Sequence, residues 1–304
     1  FGGTGFVGSY ILESLVRKKY HPVILARAGS EKKIQINRGL CHTFSGSINN
    51  LDKIKRILEF SNSVIYNIGI IREFPRRGIS FEQLHFFAVK KIIDLCPKYG
   101  IKRFVLMSAN GVELDKTGYQ YFKLKAEEYL KQSDLDWTIF RPSVVFGNPN
   151  GKMEFCTELK EQIIKLPFPA PLFFDKFDIF NAGNFQFSPI HVENVADFFV
   201  KSLSRDEAIK KTFELGGLDS FSWKEILVHI SNAARIKKFF VPAPVISVKL
   251  AAFFFERFEF FPISRDQITM LLEGNTCDSK EYFKEFDIEP KKFNADNLEY
   301  LNEV

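Results

Sequence analysis

FGGTGFVGSYILESLVRKK, residues 1–19, decides how the rest of the chain is read. Gly2, Gly5 and Gly8 stand three apart, with Thr4, Phe6 and Val7 between them. The segment then runs into a helical pattern whose apolar face carries Val7, Ile11 and Leu15. The first amides of such a helix have no intrahelical acceptor, and together with the positive end of the helix they suit a diphosphate. Glycine removes the side chains that would block its approach. A glycine triplet alone is weak evidence, because Gly-rich turns before helices are common. Its position strengthens it: HPVILARAGS (residues 21–30) supplies an apolar strand over Val23–Ala26 and completes a βαβ unit. The strand expected before the loop is represented by Phe1 alone, so the reading expects further residues, with room for a leader peptide, ahead of it.

Where a protein that reads a ribose 2′-hydroxyl usually places an acid, this chain has Arg27, followed by Lys32 and Lys33. A guanidinium there pairs with a 2′-phosphate and stacks on adenine, which favours NADP(H) over NAD(H). Read instead as a plain surface charge, Arg27 leaves the glycine loop intact and the choice of cofactor open.

Further strands follow at α/β spacing: residues 41–44, SVIYNIG around Ile65, KRFVLMS ending at Ser108, and WTIFRPSVVFG. Helical patterns separate them over residues 51–60 and 81–99. The expected fold is α/β, a Rossmann-like doubly wound parallel sheet. Ligands of such sheets sit beyond the carboxyl ends of the strands, and those ends carry Arg27, Asn67, Ser108 and Arg141, Pro142 and Ser143. The expected division is a dinucleotide-binding domain over residues 1–151 and a smaller C-terminal lobe over residues 152–304, interleaved with segments that return to the sheet.

TGYQYFKLKAEE (residues 117–128) holds two tyrosines, each with a lysine four positions on. Tyr119 and Lys123 share a helix face, as do Tyr121 and Lys125, but the pairs are offset by about 200° around the axis. Phe122, Ala126 and Leu130 lie on the side of Tyr119 and Lys123, whereas Glu128 and Gln132 lie on the other, so the first pair is the inward one. An inward lysine is costly unless its charge has a partner or a task. Hydrogen bonds to a nicotinamide ribose would supply the task, and the cation is expected to lower the phenol from its usual value of about 10. Ser108 would hold a substrate oxygen beside Tyr119. The competing interpretation is a snorkelling lysine beside a half-buried tyrosine.

Jointly, the glycine loop GGTGFVG, the strand end VLMSANG, Tyr119-x-x-x-Lys123 with Glu127 following, TIFRPSVVFG and SPIHVENVADFFV resemble the short-chain dehydrogenase/reductase superfamily in its extended, NmrA-like branch. The resemblance covers essentially the whole chain. The C-terminal part, VPAPVISVKLAAFFFERFEFFPISRDQITMLLEGN with EYFKEFDIEPKKF, is similar to the nucleotide-binding accessory subunits of respiratory complex I and their bacterial relatives. It implies a tightly held NADP(H), seated by Gly2, Gly5 and Gly8 with Arg27 as phosphate selector, and a catalytic-type set of Ser108, Tyr119 and Lys123. Pro142 and Ser143 match the segment that lines the nicotinamide in extended members. It also implies a respiratory-chain or membrane-surface partner and a quinone-like or lipid-like substrate. Two departures stand out: SGSIN offers Ser47 and Ile48 where the family often has an acid–hydrophobe pair, and Asn194 replaces an aspartate as an expected helix cap.

Three function classes follow: a reductase acting on a carbonyl or alcohol, a non-catalytic NADPH-holding member of the respiratory machinery, and a sugar-nucleotide epimerase or dehydratase. KLPFPAPLFFDKFDIFNAGNFQFSPI (residues 165–190) reads as a loop region, with Phe173, Phe174 and Phe177 either covering an apolar ligand or packing the smaller lobe. The Phe-rich cover argues against a uridine pocket. Residues 245–261, ending in FFFERFEFF, are too interrupted by charge to span a bilayer and read as core or as a helix docked at an interface.

Composition narrows the rest. At 304 residues, with 45% apolar and 26% charged, the chain is an ordinary globular protein able to bury a large core. Its 35 phenylalanines sit beside abundant Lys, Ile and Asn and carry little weight alone. The net charge of +5 is spread over scattered basic pairs, which excludes a nucleic-acid stripe. Cys41, Cys96, Cys156 and Cys277 are far apart, which suggests neither zinc nor a disulfide framework and points to a reducing, cytoplasmic compartment, with peripheral attachment at a membrane face as the variant. His21, His42, His85, His191 and His229 share no metal-ligand spacing; His191, near the expected cleft, is the one singled out for a test.

Overall fold

The computed structural model of the chain describes residues 1–34, 36–175, 178–255 and 264–302. Two compact units emerge, each assembled from three stretches. The first comprises Phe1–Pro142, Val192–Leu215 and Lys280–Glu289; the second comprises Ser143–His191, Gly216–Ser279 and Pro290–Val304.

In the first unit, α1 (Phe6–Arg17), β1 (Val23–Ala26), β2 (His42–Ser45), α2 (Leu51–Glu59), β3 (Ser63–Tyr66), α3 (Ala88–Leu95), β4 (Arg103–Met107), α4 (Gly118–Lys131) and β5 (Asp136–Pro142) alternate as the spacing predicts. The pairings between these strands are parallel: β1 with β2, and β3, β4, β5 and the strand Lys211–Leu215 side by side. Phe1 extends the sheet, its nitrogen donating to the Ile65 carbonyl at 2.8 Å and its carbonyl accepting from the Asn67 amide at 2.9 Å. Gly3 lies against Ile24 of β1, so the glycine loop rises between β1 and β3, where the order of a doubly wound sheet reverses.

Strand side chains alternate between faces. Val64, Tyr66, Phe104, Leu106, Trp137 and Ile139 form one core with Ile54, Leu58, Ile92, Ala126 and Leu130 of α2, α3 and α4. Phe140 turns to the opposite face, where its ring meets Phe198, Phe199, Phe213 and Phe286 at centroid distances of 4.8–6.3 Å. Each such ring, wholly buried, contributes about 2–3 kcal/mol, so part of the phenylalanine excess is core. The helix Val192–Ser202 packs on α1, where Ser14 Oγ donates to Asp197 at 2.8 Å and Arg17 pairs with the same carboxylate at 2.7 Å. Asn194 does not cap that helix. It is the third residue inside it, and its amide donates to the Glu289 carbonyl at 2.8 Å.

The second unit has its own core of Phe146, Phe173, Phe187, Trp223, Ile226 and neighbours. Residues 165–190 are more regular than their prolines suggest: Ala170–Phe174 is a strand, paired parallel with Phe240–Pro244. Pro242 and Pro244 are two residues apart, so their missing N–H groups fall on one edge and leave the other free to pair. Phe173 is buried and stacks on Trp223 at 6.2 Å, which assigns it to packing within this unit. Phe177 lies outside the described residues. The helix Val245–Phe255 buries Val245 and exposes Ile246 and Leu250. The end of the FFFERFEFF stretch, residues 256–261, also lies outside the described residues. Among the described residues, no helix is long and apolar enough to cross a membrane.

Candidate active site

The glycine loop is shaped by contacts that only glycine tolerates. Gly2 has φ +96°, and a Cβ there would stand 2.7 Å from the Asn67 carbonyl carbon. A Cβ on Gly8 would stand 2.1 Å from the Gly2 carbonyl oxygen, which is backbone and has nowhere to go. Gly5 donates to Gly2 O at 3.1 Å and is the N-cap of α1, with extended backbone and no side-chain cap. The first helical bond runs from Ser9 N to Gly5 O, which leaves the Phe6, Val7 and Gly8 amides without intrahelical acceptors. A cradle that a Cβ would fill, facing free N–H groups, fits a diphosphate. Thr4, Phe6 and Val7 line this turn half-buried.

Arg27 follows β1 and is exposed, its carbonyl accepting from Ser30 N at 2.7 Å and its guanidinium in no ion pair among the described residues. Lys32 and Lys33 stand exposed in the turn Ser30–Lys33. Ile48 is buried in the core, whereas Ser47 is exposed and its hydroxyl accepts from Asn49 N at 3.1 Å. Asn67 is half-buried at the end of β3, beneath Gly2.

Thr117 caps α4, its hydroxyl accepting from Gln120 N at 3.2 Å, and this sets the phase of the helix. Lys123, Ala126, Glu127 and Leu130 are buried on one side, whereas Tyr121 and Glu128 are exposed on the other. Tyr119 is half-buried on the Lys123 side. Lys123 Nζ donates to the Met107 carbonyl at 3.0 Å, which ties α4 to the end of β4 and leaves two of its three donors over. Ser108 follows directly; its amide donates to the Phe140 carbonyl at 2.7 Å, while its buried hydroxyl has no partner.

His85 completes the group. It sits in a π-helical turn, Glu82–Phe87, that precedes α3, and such turns recur at functional sites. Its ring stacks on Phe81 at 5.4 Å and meets the edge of Tyr119 at 5.2 Å. Nε2 accepts from the Ile70 amide at 3.1 Å, and Nδ1 is buried without a partner. At sequence level His85 falls on the apolar stripe with Phe81, Ala88 and Val89, so it reads as a core histidine; the π-turn, which would have flagged it, has no sequence signature here. His191 belongs to the second unit, buried with its ring edge-on to Phe146 at 5.1 Å.

Burial holds the Lys123 ammonium down to about 8, against a pull upward from Glu127 one turn away. It therefore stays mostly charged at neutral pH. Burial and the Lys123 charge keep the His85 imidazolium well below its ordinary value. The Tyr119 phenol does not follow the sequence expectation: burial pushes it up rather than down. Lys123 Nζ lies over the ring, 5.5 Å from its centroid, so the cation stabilises the aromatic face more than a phenolate oxygen. Glu127 is itself engaged by Arg141, whose Nε and Nη2 donate to its two oxygens at 2.9 and 2.7 Å; Glu113 and Glu214 share the same guanidinium. Pro142 ends β5, its carbonyl accepting from Asn110 N at 3.0 Å. Ser143 opens the second unit, with its hydroxyl donating to the Asn275 carbonyl at 2.8 Å.

A glycine cradle under a helix N-terminus, at the reversal point of a parallel sheet, defines a dinucleotide-binding α/β protein. The chain belongs to the NAD(P)H-binding family, whose profile matches residues 2–163, and its likenesses place it with the extended, NmrA-like short-chain dehydrogenases/reductases. It is 25% identical to the 40 kDa subunit of mitochondrial NADH-ubiquinone oxidoreductase from Neurospora crassa, over 99% of this chain and 77% of that one. It is 26% identical to NADH dehydrogenase [ubiquinone] 1 alpha subcomplex subunit 9 from Arabidopsis thaliana, over 99% and 76% respectively. Divinyl chlorophyllide a 8-vinyl-reductase from Arabidopsis thaliana is 23% identical over 71% of this chain and 52% of that one. In fold the chain is similar to UDP-glucose 4-epimerase from Thermus thermophilus, solved with NAD, with a TM-score of 0.74, 16% identity, and coverage of 99% of this chain and 96% of that one.

Proposed function

We propose that the chain is an NADP(H)-dependent reductase of a small apolar or quinone-related carbonyl compound. The observation that carries this reading is the unpartnered polar set at the end of β4: the Ser108 hydroxyl, two spare donors on Lys123, and a Tyr119 phenol with no hydrogen-bond partner among the described residues. When bound, the nicotinamide supplies a hydride to the carbonyl carbon. Ser108 holds the carbonyl oxygen. Tyr119, kept protonated by burial, gives its hydroxyl proton to that oxygen, which favours the reductive direction. Lys123 binds ribose hydroxyls and steadies the ring it lies over. Gly2, Gly5 and Gly8 with the Thr4, Phe6 and Val7 segment seat the diphosphate, and Asn67 and Pro142 flank the cofactor.

Tyr119→Phe is expected to lower turnover about 10²- to 10⁴-fold while leaving the NADPH dissociation constant within about twofold. Unchanged turnover in the variant removes Tyr119 from the chemistry. Arg27 supports NADP(H) over NAD(H): Arg27→Ala is expected to weaken NADPH about tenfold at low salt and NADH hardly at all, by calorimetric titration. Equal loss for both nucleotides refutes the 2′-phosphate role.

A second reading, a non-catalytic NADPH-holding member of the respiratory machinery at a membrane face, is favoured by two relatives that are complex I subunits and align over 99% of the chain. Co-purification in stoichiometric amounts with respiratory subunits, with no turnover of quinone analogues, supports it. Rapid exchange of NADPH by a freely soluble protein counts against it. The epimerase likeness shows the fold alone.

A further inference from the structure

His85 and Ser108 are 2% and 3% exposed, and both contain a buried polar atom without a partner, Nδ1 and Oγ. Buried polar atoms are nearly always paired, so two orphans in one place call for an occupant. Both residues line a cavity of about 10 Å³, closed by Tyr66, Ile68, Met107 and Lys123. A volume of about 10–15 Å³ on this measure admits a single water molecule, provided two to four polar groups hold it.

Hydrogen bonding sets the chemistry of that occupant. Nε2 of His85 accepts the Ile70 N–H and so carries no proton; a neutral imidazole must then be protonated on Nδ1, which makes Nδ1–H a donor. Lys123 brings only donors, and Met107 O takes one of them. The Ser108 hydroxyl alone can give or accept. The tyrosine at the cavity wall is spent, since the Tyr66 hydroxyl donates to Leu84 O at 2.5 Å. Gly69 lies beside both groups: a Cβ there would make ordinary contacts, 3.8 Å from His85 Nε2 and 3.9 Å from Lys123 Nζ. A donor-rich pocket of this size asks for one acceptor oxygen.

We propose that His85 is a positioning residue of this site: fixed as the Nδ1–H tautomer, it binds, together with Ser108, a single oxygen acceptor in the cavity beside Lys123, a water molecule in the nucleotide-free protein. This rests on the reductase reading for its purpose, since the bound oxygen orients the Ser108 hydroxyl that would face substrate. It does not rest on that reading for its existence. Burial and the neighbouring ammonium of Lys123 keep the imidazole neutral, so the donor persists across the physiological range.

The direct test is a crystal structure of the nucleotide-free chain at about 1.5 Å, with ¹⁵N spectra of histidine-labelled full chain. A water within about 3 Å of both His85 Nδ1 and Ser108 Oγ, and a ¹⁵N pattern protonated at Nδ1 and bare at Nε2, are expected. An empty cavity or a proton on Nε2 overturns the proposal, whether or not NADPH binds. Paired variants separate anchoring from donation. His85→Asn puts an amide N–H near the Nδ1 position, whereas His85→Gln reproduces only Nε2, so turnover is expected to survive in the asparagine variant and to fall about tenfold in glutamine. The reverse order overturns the proposal. Failure of the unaltered chain to bind NADPH sinks the reductase reading instead and leaves the water and the tautomer standing.

Discussion

Glu154 in the second unit and Ser108 in the first are buried to nearly the same degree, 5% and 3% exposed, and their surroundings are opposite. The Glu154 carboxylate accepts from the amides of Cys156 and Thr157, from the Thr157 hydroxyl at 2.7 Å and from the Tyr300 hydroxyl at 3.2 Å. Both oxygens are answered, Oε2 by the Cys156 amide and Oε1 by the other three donors, and the group caps the helix Phe155–Leu159. Ser108 Oγ and its neighbour His85 Nδ1 are answered by nothing in the protein. An unanswered buried polar group costs about 1–3 kcal/mol, so the protein has satisfied the Glu154 carboxylate while leaving two adjacent groups, on Ser108 and His85, unsatisfied. Ser108 stands at the end of β4, beyond which ligands of parallel sheets sit.

The largest expected effect tests whether the open region begins at the glycine loop. Gly8→Ala drives a Cβ to 2.1 Å from the Gly2 carbonyl oxygen, an overlap between backbone atoms that no rotamer relieves. NADPH affinity is expected to fall by about 100-fold or more, roughly 2.7 kcal/mol, in calorimetric titration. Affinity kept within tenfold would mean that the diphosphate sits elsewhere.

Of similar size is the pH response of Lys123, whose folded value of about 8 lies below its ordinary 10.5. Between these values the unfolded chain holds a proton that the folded chain has released, so stability rises with pH across that window. The gain is about 3 kcal/mol at most, read as the difference between the unaltered chain and Lys123→Met in denaturant titrations at pH 7.5 and 10. NADPH affinity should move the other way, weakening above about pH 8 in the unaltered chain and staying flat in Lys123→Met. A shared pH profile for the two proteins would show that Lys123 is not titrating there.

How far such features can be read from the chain depends on whether they live in periodicity. The inward choice of Tyr119 and Lys123 over Tyr121 and Lys125 follows from the 3.6-residue repeat once Ala126 and Leu130 are placed, and the glycine loop follows from its spacing. The strand Ala170–Phe174 was hidden because Pro171, with Pro167 and Pro169 just before it, mimics loop chemistry, and only the pairing with Phe240–Pro244 shows the strand. Asn194 misled because an amide in the first turn of a helix reads as a cap, although here the cap position is three residues earlier. His85 was hidden most thoroughly: its neighbours in sequence are apolar, and the groups that make it unusual, Ile70, Ser108 and Lys123, come from elsewhere in the chain. The Tyr119 phenol shows a different limit. A neighbouring cation can be counted from spacing, but the desolvation that outweighs it depends on Phe81 and His85 closing around the ring.

The smallest effects give the comparison its sharpest edge, because they should fall on opposite sides of it. Glu154→Gln keeps one acceptor oxygen, for the Thr157 and Tyr300 donors, but turns an NH₂ toward the Cys156 amide, where the other carboxylate oxygen accepted. It is expected to lower unfolding free energy by about 1–3 kcal/mol and to leave NADPH affinity unchanged. Ser108→Ala removes a hydroxyl that no protein group answers, so it is expected to leave stability unchanged or slightly higher, while turnover falls. Thermal melts with and without NADPH read both variants. Were Ser108→Ala as destabilising as Glu154→Gln, its hydroxyl would be meeting a structural need after all, and the end of β4 would be as fully satisfied as the Glu154 carboxylate rather than a place held open for a ligand.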